Sequence, residues 1–154
     1  MDKLGYILLA DDSENDLELA QRALAQYKLA NEVVVVRDGA EALDYLYRRG
    51  TFSSRQEGDP LVVLLDIKMP KVDGLQVLEK VKSDPTLRHI PVVMLTSSHQ
   101  GPDVQESYRL GANAYVVKPV DFQQFTDAVK TIGKFWAVLN ELPRVKTRSA
   151  ASGG

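Results

Sequence analysis

The sequence predicts an α/β fold built on a parallel sheet. Five short apolar runs alternate with five stretches of helical periodicity, joined mostly by short connections. The central run, Leu61-Val62-Val63-Leu64-Leu65, is continuous rather than alternating, as expected of a strand covered on both faces. That run ends in Asp66, and Tyr6-Ile7-Leu8-Leu9-Ala10 ends in Asp11-Asp12. Open α/β sheets place their chemistry at the carboxyl ends of their strands.

The elements follow in order. Tyr6 to Ala10 reads as the first strand. Ser13 can cap the next helix, with Asp16 three positions on, a weaker relative of the capping box. Leu17, Ala20 and Leu24 then recur at helical spacing. Val33 to Val36 is β-branched throughout and reads as the second strand, broken by Asp38-Gly39, which is read as a turn. Ala42, Leu43, Leu46 and Tyr47 mark a second helix, with Gly50 suited to its left-handed end. A polar loop over 51–60 leads into the third strand, Leu61 to Leu65. Leu75, Leu78 and Val81 mark a third helix, ended by Asp84-Pro85. Pro91 opens a fourth strand, 91–95, at a position where a missing donor matters little. Gly101-Pro102 opens a fourth helix bearing Val104 and Tyr108 and closed by Gly111. Ala114 to Val117 is the fifth strand, and Asp121 caps a last helix bearing Phe122, Phe125, Val129, Ile132 and Trp136.

The 154 residues fit one domain, 1–142, with a tail over 143–154 that lacks apolar periodicity and is expected to be disordered. No repeat or linker interrupts the pattern. A formal charge of −2 gives no bulk attraction for nucleic acid. The absence of cysteine excludes disulfides and thiolate chemistry. No apolar run reaches the ~20 residues that span a bilayer, and the N-terminus lacks a signal-peptide pattern. A cytoplasmic protein is expected, without membrane or nucleic-acid partners.

Four of the five strands end in a capable group: Asp11 and Asp12, Asp66, Thr96, and Lys118 before Pro119. A parallel sheet brings these ends to one edge. Two carboxylates 4 Å apart repel by ~4 kcal/mol at an effective dielectric of 20, so a cluster of acids calls for a divalent cation. Magnesium suits a site of few protein oxygens and retained waters. Neither His89 nor His99 has a partner at zinc spacing; both are expected to be solvated loop residues. A carboxylate beside a metal, an ammonium and a hydroxyl can accept a phosphoryl group. No glycine-rich phosphate loop is present, so the phosphate must come from a donor.

The chain resembles the response-regulator receiver domains of bacterial two-component signalling. The resemblance rests on Asp11-Asp12, on Asp66 within Leu-Leu-Asp-Ile-Lys-Met-Pro-Lys-Val-Asp-Gly, on Thr96-Ser97-Ser98, and on Gly111 to Pro119, and it covers roughly Tyr6 to Leu139. It implies a flavodoxin-like doubly wound (βα)5 sheet of strand order 2-1-3-4-5. It implies that Asp66 accepts the phosphoryl group and that Asp12, Asp66 and the backbone carbonyl of Lys68 ligate Mg²⁺, with Asp11 acting largely through water. Lys118 would pair with the phosphate, Thr96 would move to bond it, and Tyr115 would rotate inward as the aromatic switch. Lys118-Pro119 would be cis. Lys68 and Ser98 would flank the path of the hydrolytic water, with Lys68 shielding the acyl phosphate.

The expected role is a stand-alone signalling switch whose chemistry is limited to its own phosphoryl transfer and autodephosphorylation. The partner would be a sensor histidine kinase. The Val-Arg-Asp-Gly-Ala-Glu-Ala-Leu segment and the closing aromatic helix are similar to regulators paired with bacterial phytochrome kinases. Phe122, Phe125, Phe135 and Trp136 are core or, with the fourth helix and last strand, a homodimer contact, which is the favoured reading. Two other classes compete. An aspartate-nucleophile phosphatase of the haloacid dehalogenase type would need an acid two positions after Asp66, where Lys68 stands. A degenerate receiver would bind partners without phosphate.

Overall fold

A computed structural model describes residues 5–25, 32–97 and 101–132, the side chains of the last segment through residue 128. The strands are β1 (Ile7–Ala10), β2 (Val33–Val36), β3 (Val62–Asp66), β4 (Val92–Thr96) and β5 (Ala114–Val117). The helices are α1 (Glu14–Leu24), α2 (Gly39–Tyr47), α3 (Gly74–Ser83), α4 (Pro102–Arg109) and α5 (Phe122–Ile132), with a short 3₁₀ turn at Gly50–Phe52. All neighbouring strands pair in parallel, in the order β2-β1-β3-β4-β5.

Alternate side chains of each strand enter opposite layers. Leu8, Ala10, Val63, Leu65, Val92 and Met94 pack with α2 and α3, whereas Ile7, Leu9, Val62, Leu64, Val93 and Leu95 pack with α1 and α5. Both faces of β1, β3 and β4 are therefore dry, which is why these strands read as unbroken apolar runs. Each fully buried leucine, isoleucine or valine contributes ~1.5–3 kcal/mol relative to exposure. The expected stripes of α1 (Leu17, Ala20, Leu24) and most of α2 (Ala42, Leu43, Leu46) are buried. Tyr45 joins them, its ring 5.0 Å from Phe52 and 6.2 Å from Tyr6.

Several local readings change. Asp38-Gly39 is not merely a turn: Asp38 is the N-cap of α2, accepting the Glu41 N–H at 2.7 Å. The residue that ends α2 in the left-handed region is Arg48 (φ 56°); Gly50, also left-handed, opens the 3₁₀ turn instead. Asp73 and Gln76 form a full capping box at the start of α3. Tyr108 is 49 % exposed and so lies outside the core. Phe125 is buried and Phe122 packs beside it, which favours the core reading for both. Phe135, Trp136, His99, Ser98, the side chains of Val129 and Ile132, and the tail lie outside the described residues. His89 is exposed, yet its Nε2 lies 3.1 Å from Asp59 rather than facing solvent alone. Among the described residues, no helix is long and apolar enough to cross a membrane.

Candidate functional site

The registers of the sheet assemble the site. Ala10 is level with Leu65, Asp66 with Leu95, and Thr96 with Val117, so Asp11, Asp66, Thr96 and Lys118 come to the same carboxyl edge. Asp11 is fixed from three directions. Its N–H donates to the Val36 carbonyl, its Oδ1 accepts the Ser13 N–H at 3.0 Å, and its Oδ2 lies 3.4 Å from Lys118 Nζ. Asp66 is the last residue of β3 and is 4 % exposed. Gly74, where α3 begins, donates its N–H to the Ile67 carbonyl at 2.7 Å and seats the helix directly on the Asp66 carbonyl.

One ligating oxygen from each of Asp11, Asp12 and Asp66 falls within 4.8 Å of the others. Asp12 is exposed, at the mouth of a cleft of about 450 Å³ lined also by Lys68, Met69, Asp73 and Asp103. Lys118 Nζ lies 3.2 Å from Asp66 Oδ1, and the Lys118-Pro119 peptide is cis, as expected. Thr96 is buried at the end of β4, and its carbonyl accepts the Lys118 N–H at 2.7 Å. Tyr115 is half-buried one strand over, its ring edge-on to Tyr108 at 5.8 Å.

Sequence reasoning missed one residue of the site. Asp16 Oδ2 lies 2.8 Å from Lys118 Nζ, closer than either Asp66 or Asp11. Asp16 was visible only as a helix-start acid; its place on the first turn after a Ser13 cap, facing back toward Asp11-Asp12, is the signal that could have found it.

Three carboxylates thus surround one ammonium, and that of Asp12 adjoins two of them. The imbalance shows in protonation. Burial pushes the Asp66 carboxyl up to about 7, the Asp11 charge adds to this, and Lys118 only partly offsets it. Burial works against the Lys118 ammonium, but Asp16, Asp66 and Asp11 together raise its affinity for the proton above the usual lysine range. Hard carboxylate oxygens in excess over cations are the donor set of a divalent metal, and the residues present fit one.

A pH dependence follows for the metal-free chain. Folded Asp66 holds a proton where the unfolded residue, with its usual pKa near 4, does not. This group's contribution to stability therefore falls as pH rises from about 4 through 7. In chelator, Asp66→Asn is expected to melt above the native chain at pH 8, with the gap narrowing toward pH 5. A gap that stays constant across that range would contradict the assignment.

The whole of this edge lies within residues 7–130, which match the family described as the response regulator receiver domain. The chain belongs to that family. This receiver is 37 % identical over 137 residues to response regulator Rcp1 of Synechocystis, covering 89 % of this chain and 92 % of that one. Among solved structures, it is 61 % identical to the bacteriophytochrome response regulator RtBRR, with a TM-score of 0.81 over 92 % of this chain and 85 % of that one. It is 59 % identical to AtBRR, another bacteriophytochrome response regulator, with a TM-score of 0.82 over 91 % of this chain and all of that one. Rcp1 has been solved in a Mn²⁺-bound form, at 36 % identity and a TM-score of 0.71 over 91 % of this receiver and 99 % of that chain. This receiver has an acidic cluster of Asp11, Asp12 and Asp66 that could hold a metal ion, and its place is that of a response regulator in two-component signalling. The phosphatase alternative is not favoured: Lys68, where that chemistry needs an acid, is 82 % exposed and faces Asp103 at 4.0 Å.

Proposed function

We propose that Asp66 takes a phosphoryl group from the phosphohistidine of a phytochrome-type sensor kinase and thereby switches a protein-interaction surface. One observation carries the reading: a buried carboxylate, Asp66, stands 3.2 Å from Lys118 Nζ, with the oxygens of Asp11 and Asp12 beside it. The likeness to two bacteriophytochrome regulators at about 60 % identity supports the choice of kinase.

In the transfer, an Asp66 oxygen attacks phosphorus. The P–N bond to the donor imidazole breaks, and its electron pair stays on the ring nitrogen. Asp12 and Asp66 would hold Mg²⁺ with the Lys68 carbonyl, and Asp11 would act largely through water; the ion would neutralise charge on the phosphoryl oxygens. Lys118 donates to a phosphoryl oxygen. Thr96 supplies a hydroxyl to another, and Tyr115 turns inward toward the space Thr96 leaves, remodelling the face that bears Tyr108. A homodimer through β5, α4 and α5 would use this face, and light scattering with and without an acyl-phosphate mimic tests it.

Incubation with Mg²⁺ and a small phosphodonor should produce a hydroxylamine-labile label on the native chain and none on Asp66→Asn. A label that survives the substitution would refute the assignment. Lys68 stands across the cleft mouth from Asp103 and screens the acyl phosphate from water. Lys68→Ala should speed its hydrolysis by about two- to fivefold, the worth of one exposed charge; an unchanged decay would remove Lys68 from the account.

A further inference from the structure

The ammonium of Lys118 has three N–H groups, and three carboxylates claim them: Asp16 at 2.8 Å, Asp66 at 3.2 Å and Asp11 at 3.4 Å. The shortest of these contacts goes to the acid that is not part of the cation cluster. We propose that Asp16 competes with the phosphoryl group for Lys118, and so sets how readily Asp66 is phosphorylated. The proposal rests on the reading of Asp66 as acceptor.

The argument is one of coordination and charge. All three donors of Lys118 are committed, so a phosphoryl oxygen arriving at Asp66 gains an ammonium N–H only if a present partner gives one up. Asp66 itself becomes the acyl phosphate, and a cation shared with Asp11 weakens the claim of that carboxylate. Asp16 stands outside the cation cluster on α1, keeps its full charge, and is the partner whose hold must be released. It is a positioning residue: it acts on the reaction through where it holds Lys118. Its structural duty is separate, because only its backbone N–H donates to Ser13 Oγ in the helix cap, at 3.2 Å. Changing the side chain leaves that cap in place.

The test is a titration of the full chain with beryllofluoride, a mimic of the acyl phosphate, in Mg²⁺, followed by backbone amide shifts. Asp16→Asn is expected to saturate at about fivefold lower mimic concentration, the worth of one partly exposed ion pair. Asp16→Glu, which keeps the charge, should stay with the native chain, and Asp16→Ser should repeat the Asn result if the latter folds poorly. In metal-free protein the Lys118 ammonium resonance should shift in Asp16→Asn. A merely structural role would weaken mimic binding, not tighten it. An Asn curve that overlays the native one, or lies at higher concentration, overturns the proposal. A native chain that shows no response to the mimic overturns the reading of Asp66 instead.

Discussion

Gly39→Ala is expected to destabilise the receiver by about 3 kcal/mol or more, at the upper end of overpacking costs. A methyl group there would lie 1.8 Å from the Val72 carbonyl oxygen and 2.8 Å from Val72 Cβ. Neither α2 nor the loop after β3 is free to yield. Asp38 caps the helix one residue earlier and faces Lys71 Nζ at 3.5 Å, and Lys71 itself holds a left-handed backbone (φ 68°). Gly74→Ala meets the same obstacle from the other side, with its methyl 2.1 Å from the Asp66 carbonyl oxygen. The two glycines pin one loop, 67–73, which carries Lys68 and borders the cleft. Gly58→Ala is the control, since a methyl there meets nothing within 4 Å; it should change stability by no more than ~0.5 kcal/mol. Urea unfolding of the three variants decides the matter. A Gly39→Ala midpoint close to that of Gly58→Ala would show that the loop can give way.

The same loop shows what could and could not be read from sequence. The strands were legible because β1, β3 and β4 are buried on both faces and so carry uninterrupted apolar runs. Their acids were legible because a charge directly after such a run has few structural reasons to be there. Asp38 and Glu41 stand at capping-box spacing, so the cap of α2 was legible locally; the close approach of Gly39 to the Val72 carbonyl, more than thirty positions away, leaves no periodic trace. Asp16 was hidden for a related reason. An acid in the first turn of a helix is already explained by capping and the helix dipole, so its contact with Lys118, a hundred residues on, had no independent signal. Tyr108 lies on α4 as its helical spacing with Val104 implies, but α4 buries little of that stripe, and the ring lies against Tyr115 at the surface.

Lys118→Ala is expected to move three measurements in different directions. The side chain is 16 % exposed, and two of its carboxylate partners, Asp11 and Asp66, are nearly inaccessible. Removing a buried partner of this kind leaves uncompensated charge, so the metal-free chain should lose ~3–5 kcal/mol at neutral pH. Less is expected at pH 5, because Asp66 then carries its proton. Divalent cation affinity should rise, because the ammonium that repels the ion is gone and the acids that hold it remain. Phosphorylation of Asp66 should nevertheless slow by ~10²–10³-fold, the usual consequence of deleting one donor to a developing anion. Calorimetry with Mg²⁺, melting curves with and without chelator, and the rate of label incorporation supply the three readouts. Loss of cation binding along with the other two would mean that Lys118 props up the architecture of the edge and does not balance its charge.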